Sequence, residues 1–142
     1  MAKMIRNKIE FNTGRYYFNL NLKSPIVVIT GDSSIGKTLF FDKYAVECAA
    51  LNDDKAVFIN FLTQKSMIDA VMKLNDKIFV IDNADIIPGY DITFFNNKVN
   101  NNQYIIIGRS IFKYTRDTKS IATLQEYDKS KFRLFYPYRK EV

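Results

Sequence analysis

The chain has 142 residues, a formal net charge of +6 and one cysteine, and it contains no histidine. That length suits a single domain that folds without disulfide bonds, so Cys48 is expected to be a small buried residue. The lack of histidine excludes zinc-hydrolase and Ser-His-Asp chemistry, because each needs an imidazole as ligand or base. The basic charge is compatible with a polyanionic partner such as nucleic acid but does not require one.

The first twenty residues show no export signal. They carry charges throughout and lack the apolar core of about 7 to 15 residues that a signal peptide needs. No apolar run approaches the length of a membrane span. We therefore expect a cytoplasmic protein that does not enter a membrane.

Two short strands are predicted at the N-terminus, over residues 5–11 and 15–22, because apolar residues alternate in both. The Asn-Thr-Gly sequence at 12–14 between them is a hairpin turn signal. The aromatic pair Tyr16 and Tyr17 either packs across the strands or stacks on a nucleotide base, and cross-strand packing is favoured.

The sequence IVVITGDSSIGKT, residues 26–38, joins a β-branched run to a glycine-containing loop. It satisfies G-x-x-x-x-G-K-[ST], the P-loop or Walker A pattern. Glycines let backbone N–H groups converge on phosphate, and the following helix turns its positive end toward the anion. Lys37 would reach the β and γ phosphates, and the Thr38 hydroxyl would ligate Mg²⁺. The residues predicted to surround the nucleotide are Gly31, Asp32, Ser33, Ser34, Ile35, Gly36, Lys37, Thr38 and Leu39.

Strands and helices are predicted to alternate after this loop. A helix over residues 37–51 is followed by a strand over 56–61 and a helix over 64–75, in which apolar residues recur at helical spacing. This alternation is typical of an α/β fold, with a mainly parallel sheet between two layers of helices. The sequence therefore predicts a three-layer α/β/α sandwich.

Two later strands would carry polar residues to the edge at which ligands bind in open α/β sheets. KIFVID, residues 77–82, ends in Asp82, a candidate Walker B acid that would hold Mg²⁺ opposite Thr38. The alternative is an ordinary capping aspartate. The next apolar run, QYIIIG, would deliver Arg109 and Ser110 to the same edge.

The remaining segments are less informative. A short helix is predicted over residues 91–99 within a polar stretch, and two further strands over 121–127 and 132–138. The whole chain is interpreted as one domain with an added N-terminal hairpin, a nucleotide-binding core and added C-terminal strands, over residues 1–24, 25–110 and 111–142.

The combination of GDSSIGKT, the strand ending in Asp82 and a later strand ending in GRS resembles the P-loop NTPase superfamily. Over roughly residues 20–110 it is similar to the branch that contains the AAA+ and ABC-type ATPases. The resemblance implies that Lys37 and Thr38 bind phosphate and Mg²⁺ and that Asp82 holds the metal. It also implies a sensor position near the γ-phosphate for Arg109 or Ser110. ATP is favoured over GTP, because no guanine-reading aspartate is found.

One departure from this branch concerns hydrolysis. The branch places a glutamate directly after the Walker B aspartate to polarise the attacking water, whereas this chain has Asn83, and an amide cannot accept the proton. Asp85 could substitute through a water; otherwise hydrolysis is slow or absent. The candidate catalytic residues are therefore Lys37, Asp82, Asp85 and Arg109.

Two functions remain open at this point. The first is a weak or partner-activated Mg·ATPase, completed by a protein partner or a second copy. The second is a non-hydrolysing, nucleotide-dependent module that regulates or binds a protein or nucleic acid. The basic chain is compatible with both functions.

Overall fold

The computed structural model of this chain describes residues 2–31, 36–60, 62, 71, 73–86, 101–109 and 114–139. The elements with described bounds are eight strands, one α-helix and two short 3₁₀ helices. The strands are β1 Lys8–Asn12, β2 Tyr17–Asn21, β3 Ile26–Thr30, β4 Ala56–Ile59, β5 Ile78–Ile81, β6 Gln103–Ile107, β7 Ile121–Asp128 and β8 Lys131–Phe135. The α-helix is α1 Lys37–Ala50, and the 3₁₀ helices are Ala84–Ile86 and Thr118–Ser120.

All eight strands belong to one sheet, in the order β1-β2-β8-β7-β3-β6-β5-β4. The five strands from β7 to β4 run parallel, with β6 inserted between β3 and β5. The pairs β1–β2 and β7–β8 are antiparallel hairpins, and β2 joins β8 in parallel. The result is a mixed sheet that curls into a half-barrel.

The predicted three-layer α/β/α sandwich is wrong. The described residues contain one complete α-helix, and the two hairpins are hydrogen-bonded members of the main sheet rather than additions to a separate core. The physical reason is that the hairpins bury their aromatic side chains against α1, so the curl of the sheet covers the helix. The predicted helix over residues 91–99, and most of that over 64–75, lie outside the described residues.

Side chains alternate between the two faces of the sheet, as the pleat requires. The concave face packs around α1 and forms the larger core cluster, which includes Phe18, Val27, Ile105 and Phe132. A second cluster lies behind the central strands only, around Phe79 and other residues. Strands β5 and β6 are therefore buried on both faces, whereas β1 and β8 alternate between buried and exposed residues.

Aromatic rings connect α1 to the hairpins. The Phe18 ring stacks on the Phe11 and Phe132 rings at centroid distances of 4.9 Å in both cases. Phe40 of α1 lies 5.8 Å from Phe18 and 5.6 Å from Tyr44, one turn further along the helix. Rings at these separations add to the stability that burial of their area provides. The helix is thus held against the first hairpin, and Phe18 connects it to Phe132 of β8.

Both ends of α1 use the left-handed backbone conformation. Gly36 caps the N-terminus with φ 80°, and Asn52 follows the C-terminus with φ 51°. Asn52 and Asp53 donate their backbone N–H groups to carbonyls of the last turn, at 3.2 and 2.8 Å. Cys48, in that last turn, is buried as expected, and burial raises the pKa of its thiol.

No helix in the described ranges combines the length and the apolar character that crossing a bilayer would require.

The contact between α1 and the hairpins predicts that Phe40→Ala destabilises the protein strongly. Phe40 is fully buried, so its truncation should lower the free energy of unfolding by about 3–5 kcal/mol. The matched control is Val46→Ala on the same helix, where the side chain is 66% exposed and the change should be within about 0.5 kcal/mol. Urea denaturation of the two variants measures the difference, and similar losses in both would contradict this packing.

Candidate functional site

Three parallel strands end at one edge of the sheet, where the predicted site residues follow them. The hydrogen-bond ladder continues just past the strand ends, because Asp82 N donates to Ile59 O at 2.9 Å and Gly108 N to Ile29 O at 3.1 Å. The loop after β3, the acid after β5 and the Gly108–Arg109 pair after β6 therefore lie side by side. Carboxyl ends of parallel strands meet in this way in open sheets.

The two described glycines of the loop both adopt left-handed backbone conformations. Gly31 has φ 124° and Gly36 has φ 80°, values that favour glycine over any residue with a Cβ atom. The Phe132 ring lies beside Gly36, where a Cβ atom would come within 3.4 Å of it. The four residues between the glycines lie outside the described ranges, so the predicted nucleotide contacts of Asp32, Ser33, Ser34 and Ile35 stay predictions.

Lys37, the first residue of α1, points inward although it is charged. Only 7% of it is exposed, and its Nζ donates a hydrogen bond to the Gly31 carbonyl oxygen at 2.5 Å. The ammonium group thus lies between the two ends of the loop. Thr38 is exposed beside it, whereas the Leu39 side chain packs against the concave core.

Asp82 is the buried acid at this edge. It is 5% exposed, and its Oδ1 is buried without a hydrogen-bond partner among the described residues. Burial raises the pKa of the Asp82 carboxyl, and nearby Asp42 raises it further, while a hydrogen bond from Asn83 N and the charge of Lys37 lower it. An unpaired buried carboxylate oxygen is costly, and a cation beside it would remove that cost.

Asp85 holds the ends of β5 and β6 together. Its Oδ2 accepts a hydrogen bond from Arg109 N at 2.6 Å, and its Oδ1 accepts one from the Tyr114 hydroxyl at 2.8 Å. Gly108 permits this approach, because a Cβ atom there would lie 3.1 Å from Asp85 Oδ1. Burial and the Asp85 carboxylate both raise the pKa of Tyr114. Both carboxylate oxygens of this candidate base are therefore already engaged.

The site residues surround a cavity of about 60 Å³. This volume holds several waters or a hydrated ion, by the measure that one water needs about 10–15 Å³. The cavity is lined by Lys37, Thr38, Asp82, Asn83, Asp85, Ile107, Gly108 and Arg109. The predicted metal residues Thr38 and Asp82 thus share one cavity with Lys37. The guanidinium-bearing Arg109 is exposed at its rim, and Ser110 lies outside the described residues.

The donor set at this cavity fits Mg²⁺ better than a metal held entirely by protein. Among the described residues no three acidic, histidine or cysteine side chains come together as a metal cluster. Mg²⁺ is commonly held by one or two protein oxygens together with phosphate and water. One carboxylate and one hydroxyl at a cavity that admits water match that requirement.

Sequence reasoning missed three residues that shape this site. Asp42 lies one helical turn after Thr38 and raises the pKa of Asp82, and the i, i+4 spacing on α1 could have revealed it. Gly108 at a strand end is a signal of close backbone approach. Tyr114 carried no local signal, because its contact with Asp85 depends on the tertiary fold.

The aromatic pair of the first hairpin takes two different positions. The Tyr16 ring packs against the Phe132 ring at a centroid distance of 6.2 Å, and the Tyr17 hydroxyl donates a hydrogen bond to the Glu10 carboxylate across the hairpin. The Tyr16 contact is the cross-strand aromatic packing that was favoured, whereas Tyr17 makes a cross-strand hydrogen bond instead.

The raised pKa of Asp82 predicts how stability changes with pH. As pH rises above 3.8, the unfolded state loses this proton before the folded state does, so the Asp82 contribution to the unfolding free energy falls until the folded pKa is passed. Asp82→Asn should therefore be more stable than the wild type at pH 7, with a gain that shrinks toward pH 3. Urea denaturation from pH 3 to 8 without Mg²⁺ measures this gain, with exposed Asp54→Asn as the control. A gain independent of pH, or a loss at pH 7, would contradict it.

The Asp85 contacts give a separate expectation. Tyr114→Phe removes a hydrogen bond to a carboxylate and should lower the free energy of unfolding by about 1.5–3 kcal/mol. The control Tyr138→Phe alters an exposed hydroxyl and should change stability by less than about 0.5 kcal/mol. Thermal and urea denaturation of both variants decide the point, and equal effects would argue against the Tyr114–Asp85 contact.

No protein-family model, curated protein or solved structure matches this chain. The grounds for a function are therefore the chain's own residues: Lys37, which is hydrogen-bonded to Gly31 O, the buried carboxylate of Asp82 and the cavity that both line.

Proposed function

We propose that this chain is a P-loop protein that binds Mg·ATP at the loop between Gly31 and Thr38 and hydrolyses it slowly on its own. One observation carries the proposal: Lys37, which donates a hydrogen bond to Gly31 O, lines the same cavity as Asp82, whose buried Oδ1 has no hydrogen-bond partner among the described residues. Burying a carboxylate oxygen without a hydrogen-bond partner costs free energy, and perturbed ionisable groups are concentrated at functional sites. A divalent cation would supply a partner for Asp82, and Lys37 would contact the phosphate groups that accompany it.

The residues divide into two roles. Lys37 would exchange the Gly31 carbonyl for phosphate oxygens, and the left-handed backbone at Gly31 and Gly36 would let N–H groups approach the anion. Thr38 and Asp82 would hold Mg²⁺, which supplies positive charge to offset that of the phosphates. Arg109 stands at the rim, on a backbone that Asp85 holds in place.

Slow hydrolysis is supported by the surroundings of the two candidate base positions. Asn83 follows Asp82 with an exposed amide side chain, which cannot take a proton from water. Asp85 already accepts hydrogen bonds from Tyr114 and from Arg109 N. The base would therefore come from a protein partner or a second copy, which makes the enzyme partner-activated.

The same two observations favour a second candidate, a nucleotide-dependent regulatory or interaction module that never hydrolyses ATP. In that case the bound nucleotide stabilises one conformation of the chain, and a protein or nucleic acid binds that conformation selectively. The two candidates share the binding site and differ in turnover alone. Phosphate release at rising protein concentration separates them, because self-activation appears as turnover that increases faster than concentration.

Binding is tested by isothermal titration of Mg·ATP into the wild type and into Lys37→Ala. Removing a charge-assisted contact should weaken binding by at least about tenfold. The control is Lys55→Ala, an exposed lysine just before β4 at the opposite edge of the sheet, which should leave the affinity unchanged. Chelation of Mg²⁺ should weaken binding to the wild type as well. Wild type and Lys37→Ala with the same negligible affinity would overturn the proposal.

A further inference from the structure

The strand β1 forms one edge of the sheet. It pairs with β2 on one side, and the described residues place no strand on its other side. Leu22 donates its backbone N–H to Asn7 O at 2.9 Å, so the odd-numbered residues on the β1 side of this antiparallel ladder bond to β2. The backbone N–H and C=O groups of Lys8, Glu10 and Asn12 therefore point away from β2, toward the open edge.

The charges on this edge suit antiparallel pairing with a second copy of the same strand. An unpaired edge is a template for another strand, and many edges carry charges that repel one. In β1, a two-fold axis through Ile9 places Lys8 of each copy directly opposite Glu10 of the other. Opposite charges at such positions stabilise a pair of strands. Each of these two Lys8–Glu10 pairs would also exchange two backbone hydrogen bonds.

The same charges disfavour the neighbouring registers. Moving the axis by one residue toward the N-terminus places Lys8 opposite Lys8, and moving it by one residue toward the C-terminus places Glu10 opposite Glu10. Like charges directly opposite each other destabilise a strand pair. The edge strand at the other end of the sheet, β4, has the sequence AVFI and carries no charges that could select a register. The pattern of β1 therefore selects both a partner and an alignment.

A groove beside the edge leaves room for the second strand. It is open, has a volume of about 160 Å³, and lies between β1 and the C-terminal half of α1. Its apolar lining includes Ile9, Phe11, Tyr44, Cys48 and Leu51. Leu51, directly after α1, is 69% exposed. Ile9 of a second copy would lie opposite Ile9, with the two Cα atoms about 4.5 Å apart, on the side of the sheet that this groove occupies. The contact would remove apolar surface from water.

The charged groups at this edge are compatible with the pairing. Lys8 Nζ lies 3.5 Å from Glu10 Oε1 within the strand, and both side chains are nearly half exposed, so this ion pair is weak. The Lys8 ammonium has three N–H donors and can contact a second carboxylate. The Tyr17 hydroxyl donates to Glu10 from the same hairpin. Arg6 and Asp53, at the groove, pair with each other at 2.7 Å.

We propose that this chain forms a two-fold dimer in which β1 of each copy pairs in antiparallel with β1 of the other about Ile9. The two sheets then become one continuous sheet. The pairing lies near the C-terminal end of α1, and no residue of the groove lines the cavity at Lys37. The dimer therefore goes beyond the proposed function and does not depend on nucleotide binding.

The test is sedimentation equilibrium over a range of protein concentrations. The wild type should show a monomer–dimer equilibrium. Lys8→Glu and Glu10→Lys should each raise the dimer Kd by about tenfold or more, because both pairs then join like charges. An equimolar mixture of these two variants should associate like the wild type, since two acids of one copy then face two lysines of the other. The charge-matched control is Lys119→Glu, an exposed residue of the Thr118–Ser120 helix, which should leave Kd within about twofold.

Three outcomes would overturn the proposal: a wild type that stays monomeric at every concentration, single variants with unchanged Kd, and a mixture that associates no better than its components. Lys8 and Glu10 are exposed, so the variants should stay folded by circular dichroism, and restored association in the mixture excludes misfolding as the cause. Lys37→Ala should dimerise like the wild type while losing affinity for Mg·ATP, so failure of the dimer and failure of the P-loop proposal are distinguishable.

Discussion

Packing of α1 into the concave face of the sheet is the constraint on which the rest of the structure depends. Phe18 and Phe132 come from strands distant in sequence; the Phe18 ring lies against Phe40 of α1, and the Phe132 ring stacks on Phe18. This contact fixes the direction in which α1 leaves β3, and with it the position of Gly36 and Lys37. Gly36 and Lys37 are thus held in place by a hydrophobic interaction that is made mainly by residues outside the candidate site.

The site itself works against stability. Lys37 and Asp82 carry ionisable side chains and are almost fully buried, and Asp82 has an oxygen without a hydrogen-bond partner among the described residues. The all-buried strands β5 and β6 and the Asp85 contacts to Tyr114 and Arg109 N hold these charges in place. The structure therefore keeps an unfavourable charge arrangement at one edge because rigid, apolar strands surround it. A ligand with phosphates and a metal would relieve it.

The two halves of the sheet differ in the burial of their second face, the one turned away from α1. Behind β3, β5 and β6 the second face is buried, and those strands read as continuous apolar runs. In the hairpins the second face is exposed, and the strands alternate between buried and exposed residues. Phe132 lies between the halves, with its ring beside Gly36 and stacked on Phe18.

Local sequence patterns predicted correctly those features that depend on residues only a few positions apart. The glycines of the loop, the helix from Lys37, the buried strands and the placement of Asp82 at a strand end could all be expected from periodicity and motif. The three-layer sandwich was wrong because alternation of strands and helices says nothing about pairing between β2 and β8, which brings Tyr17 beside Lys131. The hydrogen bonds of Asp85 could not be predicted for the same reason, since its partner Tyr114 is 29 positions away in the sequence.

By itself, the sequence determined the phosphate-loop motif, the strand that precedes it and the acid that a later strand delivers, because each depends on neighbours in the chain. Only the tertiary structure decided that the sheet curls around α1, that Asp82 is buried with one oxygen unpartnered among the described residues, and that Asp85 already accepts hydrogen bonds. Those features depend on contacts between residues far apart in sequence, and burial, charge and hydrogen bonding are set by such contacts.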